Sequence, residues 1–205
     1  MFRVYLLWRP FLVVRVTPSS TQMANNQEVH WYPMRVCYGQ PHRLLELGRQ
    51  LEERRRVHYI PMEYVKRGEA LELVPAVNNL VFIQTTQEDL QALKQEAAFK
   101  YLRFIMRPVP GTKGEEREVI WVRDREMEDF MRVASEHNQQ VMYLNNMDFA
   151  LRPGARVQVK EGVFAGVQGI VKSIKKHLCV VLPVDKLVAV AILNVPKKSL
   201  IYLED

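Results

Sequence analysis

Hydrophobic residues recur with two different periods between residues 29 and 138, and this pattern predicts strands interleaved with helices. Residues 29–38 are rich in β-branched and aromatic side chains and end before Gly39, which predicts a strand. Pro41, a residue type favoured in the first turn of a helix, opens a segment whose leucines share one helical face. These leucines are Leu44, Leu47 and Leu51. A strand followed by a helix is therefore expected first.

The next segment predicts a β-hairpin and a second helix. Residues 59–66 and 71–85 favour strands, and the charged turn 67–69 between them contains a glycine. Thr86 and Asp89 have the spacing of a capping box, in which the first side chain accepts a hydrogen bond from the backbone three residues later. We therefore expect a helix that begins after Thr86.

A strand at 101–106, a short strand at 119–122 and a third helix complete this region. Asp124 is predicted to cap that helix, whose apolar side chains share one face. They are Met127, Phe130, Met131 and Ala134. The order of elements predicts an α+β sandwich with one antiparallel sheet, in which residues 29–138 form one domain.

A second, smaller domain is expected at residues 153–205. Residues 139–152 lack a clear period and precede Pro153-Gly154, so we expect a linker there. Five short apolar runs follow, separated by glycines, prolines and charged turns. They cover residues 157–159, 170–174, 178–182, 188–193 and 199–203. Five strands in so short a stretch predict a small five-stranded β-barrel.

Charge is unevenly distributed along the chain. Its 205 residues carry 29 basic and 23 acidic side chains, a net charge of +6, and 48% of them are hydrophobic, which indicates a globular protein. Residues 1–22 have three basic and no acidic side chains, residues 23–138 have 17 and 18, and residues 139–205 have nine and five. The near-neutral larger domain favours a protein partner, and the basic barrel is the part suited to nucleic acid.

The first 28 residues are predicted to be an extension outside the fold, either disordered or not native. Arginines interrupt their apolar residues too often for an export signal or a membrane span, and one interpretation is that the protein begins at Met23. The two cysteines, Cys37 and Cys179, lie far apart, which suits a reducing compartment. We therefore expect a cytoplasmic protein with no membrane partner.

No pattern in the sequence indicates an enzyme. The five histidines are scattered without the spacing of metal ligands, and no nucleophile is paired with a base. Three glycines, Gly162, Gly166 and Gly169, lack the spacing and the lysine of a phosphate-binding loop, so they indicate a turn. We expect no catalytic residue, no metal and no cofactor.

Several segments resemble the NusG family of transcription factors. Residues 152–171, RPGARVQVKEGVFAGVQGIV, resemble the KOW motif, and HWYPMRVCYG and NNLVFI resemble parts of the NGN domain. The segment VIWVRDREMEDFMRV is similar to the UpxY branch, whose members are antiterminators of capsular polysaccharide operons. The resemblance implies an NGN-type α/β sandwich, then a KOW barrel, in a factor that binds RNA polymerase and suppresses pausing and termination.

The resemblance also implies which residues bind RNA polymerase. An apolar surface on the NGN sheet would seat the polymerase clamp, and the matching positions are Tyr32, Val77, Leu80 and Phe82. Strand alternation places Leu80 and Phe82 on one face, which is equally compatible with a place for Phe82 in the sheet core. Where RfaH-like members contact the polymerase gate loop through a His-Thr-Thr motif, this chain has Gln91-Ala92-Leu93.

Two further contacts are implied by the same family. Arg43 matches a position that faces the non-template DNA strand in RfaH-like members, and Lys100 lies close to another; solvation of an arginine at a helix start is the alternative. Val163 and Phe164 match the KOW turn that docks a small-subunit ribosomal protein or the Rho termination factor. The alternative for Phe164 is that it folds over the open end of the barrel.

Two other functions are compatible with these residues. A ribosomal-type KOW protein would bind RNA through the basic barrel, and a housekeeping NusG would support Rho-dependent termination. The β-branched residues, glycines and prolines of the second domain favour a barrel over a helical form.

Overall fold

A computed structural model describes most of the chain. The described residues are 28–37, 41–109, 111, 115–136, 140–144, 154–174, 176–185 and 187–204. Apart from Glu28, the predicted extension at 1–28 lies outside them, as do residues 139 and 145–152 of the predicted linker. Within the described residues the protein is a mixed α+β structure whose sheets are antiparallel.

Three α-helices are interspersed among the strands of the first two thirds of the described chain, and strands with one 3₁₀ helix follow. The helices are α1 (Pro41–Glu53), α2 (Gln87–Leu93) and α3 (Asp124–Ala134). The strands are β1 (His30–Val36), β2 (His58–Tyr59), β3 (Met62–Arg67), β4 (Ala70–Pro75), β5 (Leu80–Thr85), β6 (Leu102–Phe104), β7 (Met106–Pro108), β8 (Arg117–Val119), β9 (Val141–Leu144), β10 (Arg156–Val159), β11 (Gln168–Ile174), β12 (His177–Val184), β13 (Val188–Ile192) and β14 (Leu200–Tyr202). A 3₁₀ helix at Lys197–Ser199 precedes β14.

A four-stranded sheet, which we call the N-terminal sheet, has the strand order β2-β5-β1-β6. Helices α1 and α2 pack on one of its faces, where Leu47 and Leu51 of α1 share a fully buried cluster with Met34 of β1. Thr86 caps α2, because its side-chain oxygen accepts a hydrogen bond from the backbone N–H of Asp89 at 3.2 Å. The predicted spacing of α1 and the predicted cap of α2 are therefore both confirmed.

Other local predictions differ from the structure at chain reversals. The predicted strand 71–85 is two strands, β4 and β5, separated by a turn in which Asn79 has a left-handed φ of 64°. Asp124 is the first residue of α3 and not its cap; Arg123 occupies the cap position without a side-chain hydrogen bond. The carboxylate of Asp124 still lies in the first turn, where the helix dipole favours a negative charge.

Two short antiparallel hairpins extend from the N-terminal sheet. One is formed by β7 and β8, and the other by β3 and β4, as the pattern predicted. The β3–β4 hairpin exposes Tyr64 and Leu71 to solvent, by 48% and 68%.

The last part of the chain forms a six-stranded sheet, which we call the C-terminal sheet, with the order β14-β10-β11-β12-β13-β9. Five of its strands match the five predicted runs. The sixth, β9, lies within the segment predicted as a linker and pairs with β13 from Val141↔Ile192 to Leu144↔Ala189. A four-residue strand is too short to show a period, and its pairing partner is distant in sequence, so the local pattern could not identify it.

Helix α3 packs between the two sheets. A single apolar cluster contains Leu80 and Phe82 of the N-terminal sheet, Phe130 of α3, and Val180 and Val190 of the C-terminal sheet. All five side chains are at most 4% exposed. One continuous core therefore joins both parts of the described chain. None of the helices that the structure describes is long and apolar enough to cross a membrane.

Candidate functional site

The four residues that match the polymerase-binding surface lie on two different faces. Leu80 and Phe82 share the face of the N-terminal sheet that α3 covers, and Val77 packs half-buried against the same cluster. Tyr32 has the opposite orientation and packs with α1 and α2, because it pairs with Ile83 and not with Phe82. The structure thus brings together three of the four residues and separates Tyr32 from them.

Phe130 covers the apolar face on which Leu80 and Phe82 lie. Its ring centroid is 6.2 Å from that of Phe82, 6.2 Å from that of Tyr59 and 6.5 Å from that of Tyr143. Leu80 is 4% exposed and Phe82 is fully buried. In this structure Phe82 is therefore a core residue, and no partner reaches it while Phe130 is in place.

Helix α3 also holds the turn between β10 and β11, where Val163 and Phe164 lie. The guanidinium of Arg132 donates one hydrogen bond to the carbonyl of Val163 at 2.7 Å and another to that of Ala165 at 3.0 Å. The two candidate partner-binding residues differ, since Val163 is 62% exposed and Phe164 only 6%. Phe164 is folded inward, and only Val163 is available at the surface.

Two different structural constraints explain why glycine occupies the three positions of the turn region. Gly162 and Gly166 adopt left-handed φ angles of 85° and 88°, which other residues reach only with strain. Gly169 lies opposite Val157, and a Cβ there would be 2.7 Å from a methyl carbon of Val180 and 2.8 Å from the carbonyl oxygen of Val181. The first two glycines shape the turn, whereas Gly169 permits close packing of neighbouring strands.

Arg43 and Lys100, the candidate nucleic-acid contacts, are both exposed, and both lie beside Tyr101. Burial raises the pKa of Tyr101, and the nearby positive charge of Arg43 opposes that rise. The structure adds two cations that the sequence analysis missed: Arg35 and Arg103 are exposed and directly opposite each other on β1 and β6. Like charges in that position repel each other, so an anion bound there would relieve the repulsion.

The sequence alone could not identify these two arginines as neighbours, because their contact depends on the register of two strands. Their separation in the sequence gives no indication of contact, and only the pairing of β1 with β6 places them side by side.

At the positions of the gate-loop motif, Leu93 is 2% exposed, whereas Gln91 and Ala92 face solvent. Two positions of that motif are thus available for contact.

Two tyrosines connect the sheets through buried hydroxyl groups. The hydroxyl of Tyr143, on β9, donates to the backbone carbonyl of Met62 at 3.2 Å and is hydrogen-bonded to Tyr59 on β2. Burial raises the pKa of Tyr59 to about 12, and it also raises that of Tyr143, which the nearby Tyr59 and Glu63 raise further. Both hydroxyls therefore stay protonated in the folded protein at neutral pH.

These raised pKa values predict a loss of stability in alkali. An unfolded tyrosine ionises near pH 10, whereas Tyr59 ionises near 12 in the fold, so the contribution is complete below about pH 10 and is lost as pH rises towards 12. The free energy of unfolding is expected to fall by up to about 1.4 kcal/mol per pH unit for each tyrosine. Urea titrations between pH 10 and 12 should show that the free energy of unfolding falls less steeply with pH in the double variant Tyr59→Phe/Tyr143→Phe than in the wild type. An equally steep fall in both proteins would contradict the raised pKa values of the two tyrosines.

A salt bridge makes a second polar connection between the two parts. The guanidinium of Arg107, on β7, lies 2.6 Å from Glu118 and 3.4 Å from Asp185, which follows β12. Together with the apolar cluster and the Arg132 hydrogen bonds, this pairing fixes the C-terminal sheet against α3 and the N-terminal part.

The described residues were also compared with the arrangements that hold metal ions and with those of reactive thiols. Among them no three His, Cys, Asp or Glu side chains are grouped so as to hold a metal ion. Both cysteines are free thiols, and burial raises the pKa of Cys179, which makes this thiol less reactive. No protein-family model matches the chain, and no curated protein is similar enough to it to indicate a relationship.

Proposed function

We propose that this protein is a cytoplasmic transcription elongation factor of the NusG type, from the UpxY-like branch, that binds RNA polymerase and suppresses pausing and termination in a capsular polysaccharide operon. It performs no bond chemistry. By binding the active polymerase more tightly than the paused one, it shifts the population towards elongation.

The observation that carries the proposal is the order of the two parts. An α+β part with a four-stranded antiparallel sheet precedes a small antiparallel sheet, as expected for an NGN domain followed by a KOW barrel. The turn with Val163 and Phe164 lies between Gly162 and Gly166, two glycines with left-handed φ angles, and this supports its assignment as a KOW turn. In this assignment β9 is a sixth strand added to the five of the barrel.

The polymerase would contact the apolar cluster of Leu80 and Phe82 from the side of Val77. A clamp helix that docks directly on the two buried residues has to displace Phe130, because that ring covers them. Val77 is half-buried at the margin of the same cluster and can be reached with Phe130 in place. It is therefore the residue of the three whose substitution tests binding with least damage to the core.

The non-template DNA strand would lie along Arg43, Lys100, Arg35 and Arg103. These four exposed cations give a phosphate chain several contacts, and the arginine pair on adjacent strands is a feature that an anionic ligand explains. The exposed side chain of Val163 is the proposed contact of the C-terminal sheet with a ribosomal protein or with Rho.

A pull-down of RNA polymerase tests this proposal. Immobilised full-length protein should retain core polymerase, and Val77→Asp should reduce retention by about tenfold, because a charge placed in an apolar contact has to be desolvated. Leu71→Asp, on the exposed β3–β4 hairpin, is the matched control and should bind normally. Circular dichroism spectra that match the wild type are required of both variants, so that a loss of binding is not a loss of folding. Equal retention of Val77→Asp and wild type, or no retention by wild type, would overturn the mechanism.

An in vitro transcription assay distinguishes the proposal from its alternatives. We expect the protein to increase read-through of a terminator in a purified system. A housekeeping NusG would instead increase Rho-dependent termination, and a ribosomal-type RNA-binding protein would change neither.

A further inference from the structure

We draw no further inference here: the strongest candidate, the exposed apolar face of the β3–β4 hairpin at Tyr64 and Leu71, carries no proposal because nothing in the structure shows what covers it.

Discussion

Phe130→Ala is expected to lower the free energy of unfolding by about 3–5 kcal/mol, the usual range for a buried phenylalanine. The ring is fully buried and is in contact with Phe82, Tyr59 and Tyr143, so its removal leaves a cavity bordered by both sheets. Urea titrations followed by far-UV circular dichroism and tryptophan fluorescence would measure the loss.

Comparison of the two probes in the wild type tests whether the two parts of the protein unfold together. Because one apolar cluster runs through both, the transitions recorded by the two probes should coincide in the wild type. Leu71→Ala removes a 68% exposed side chain and should change stability by less than about 0.5 kcal/mol. A loss below about 1 kcal/mol in Phe130→Ala would show that α3 does not join the two sheets in solution.

Gly169→Ala is expected to lower the free energy of unfolding by about 3 kcal/mol, at the upper end of the cost of overpacking. The added Cβ would be within 2.8 Å of a backbone oxygen, so the strands themselves would have to move. The control is Gly68→Ala: its Cβ would meet nothing within 4 Å, and only the left-handed φ of 63° opposes it, at about 1 kcal/mol.

The site of the disturbance should also differ between these two variants. Amide chemical shifts in Gly169→Ala should change along β11 and β12, whereas those in Gly68→Ala should change only at the β3–β4 turn. Equal stability of the two variants would indicate that Val180 and Val181 move aside at little cost. Close packing would then not be the reason why glycine occupies position 169.

The sequence predicted those parts of the fold that depend on neighbours along the chain. The leucine spacing of α1, the Thr86 cap and the five later strands follow from local periodicity and capping chemistry. The strand alternation also placed Leu80 and Phe82 on one face.

The remaining features depend on contacts between distant segments. Tyr32 faces α1 and α2 because it pairs with Ile83. The composition of β1 and β5 does not reveal this register. Arg35 and Arg103 become neighbours only through the β1–β6 pairing. Burial of Phe164 and Phe82 follows from the position of α3 between the sheets, which no local pattern indicates. Polymerase binding remains a prediction from the resemblance.

Strand β9 has a consequence for the way the protein is made. It ends at Leu144, but β13, its partner, is complete only at Ile192. At ~5–20 residues per second, a ribosome needs about 2–10 s to add the intervening chain. During those seconds the nascent protein already has every residue of its N-terminal sheet and α3, while the surface of α3 that later receives β12 and β13 is still bare. A newly made chain therefore presents, for a short time, an apolar surface of α3 that the finished protein hides.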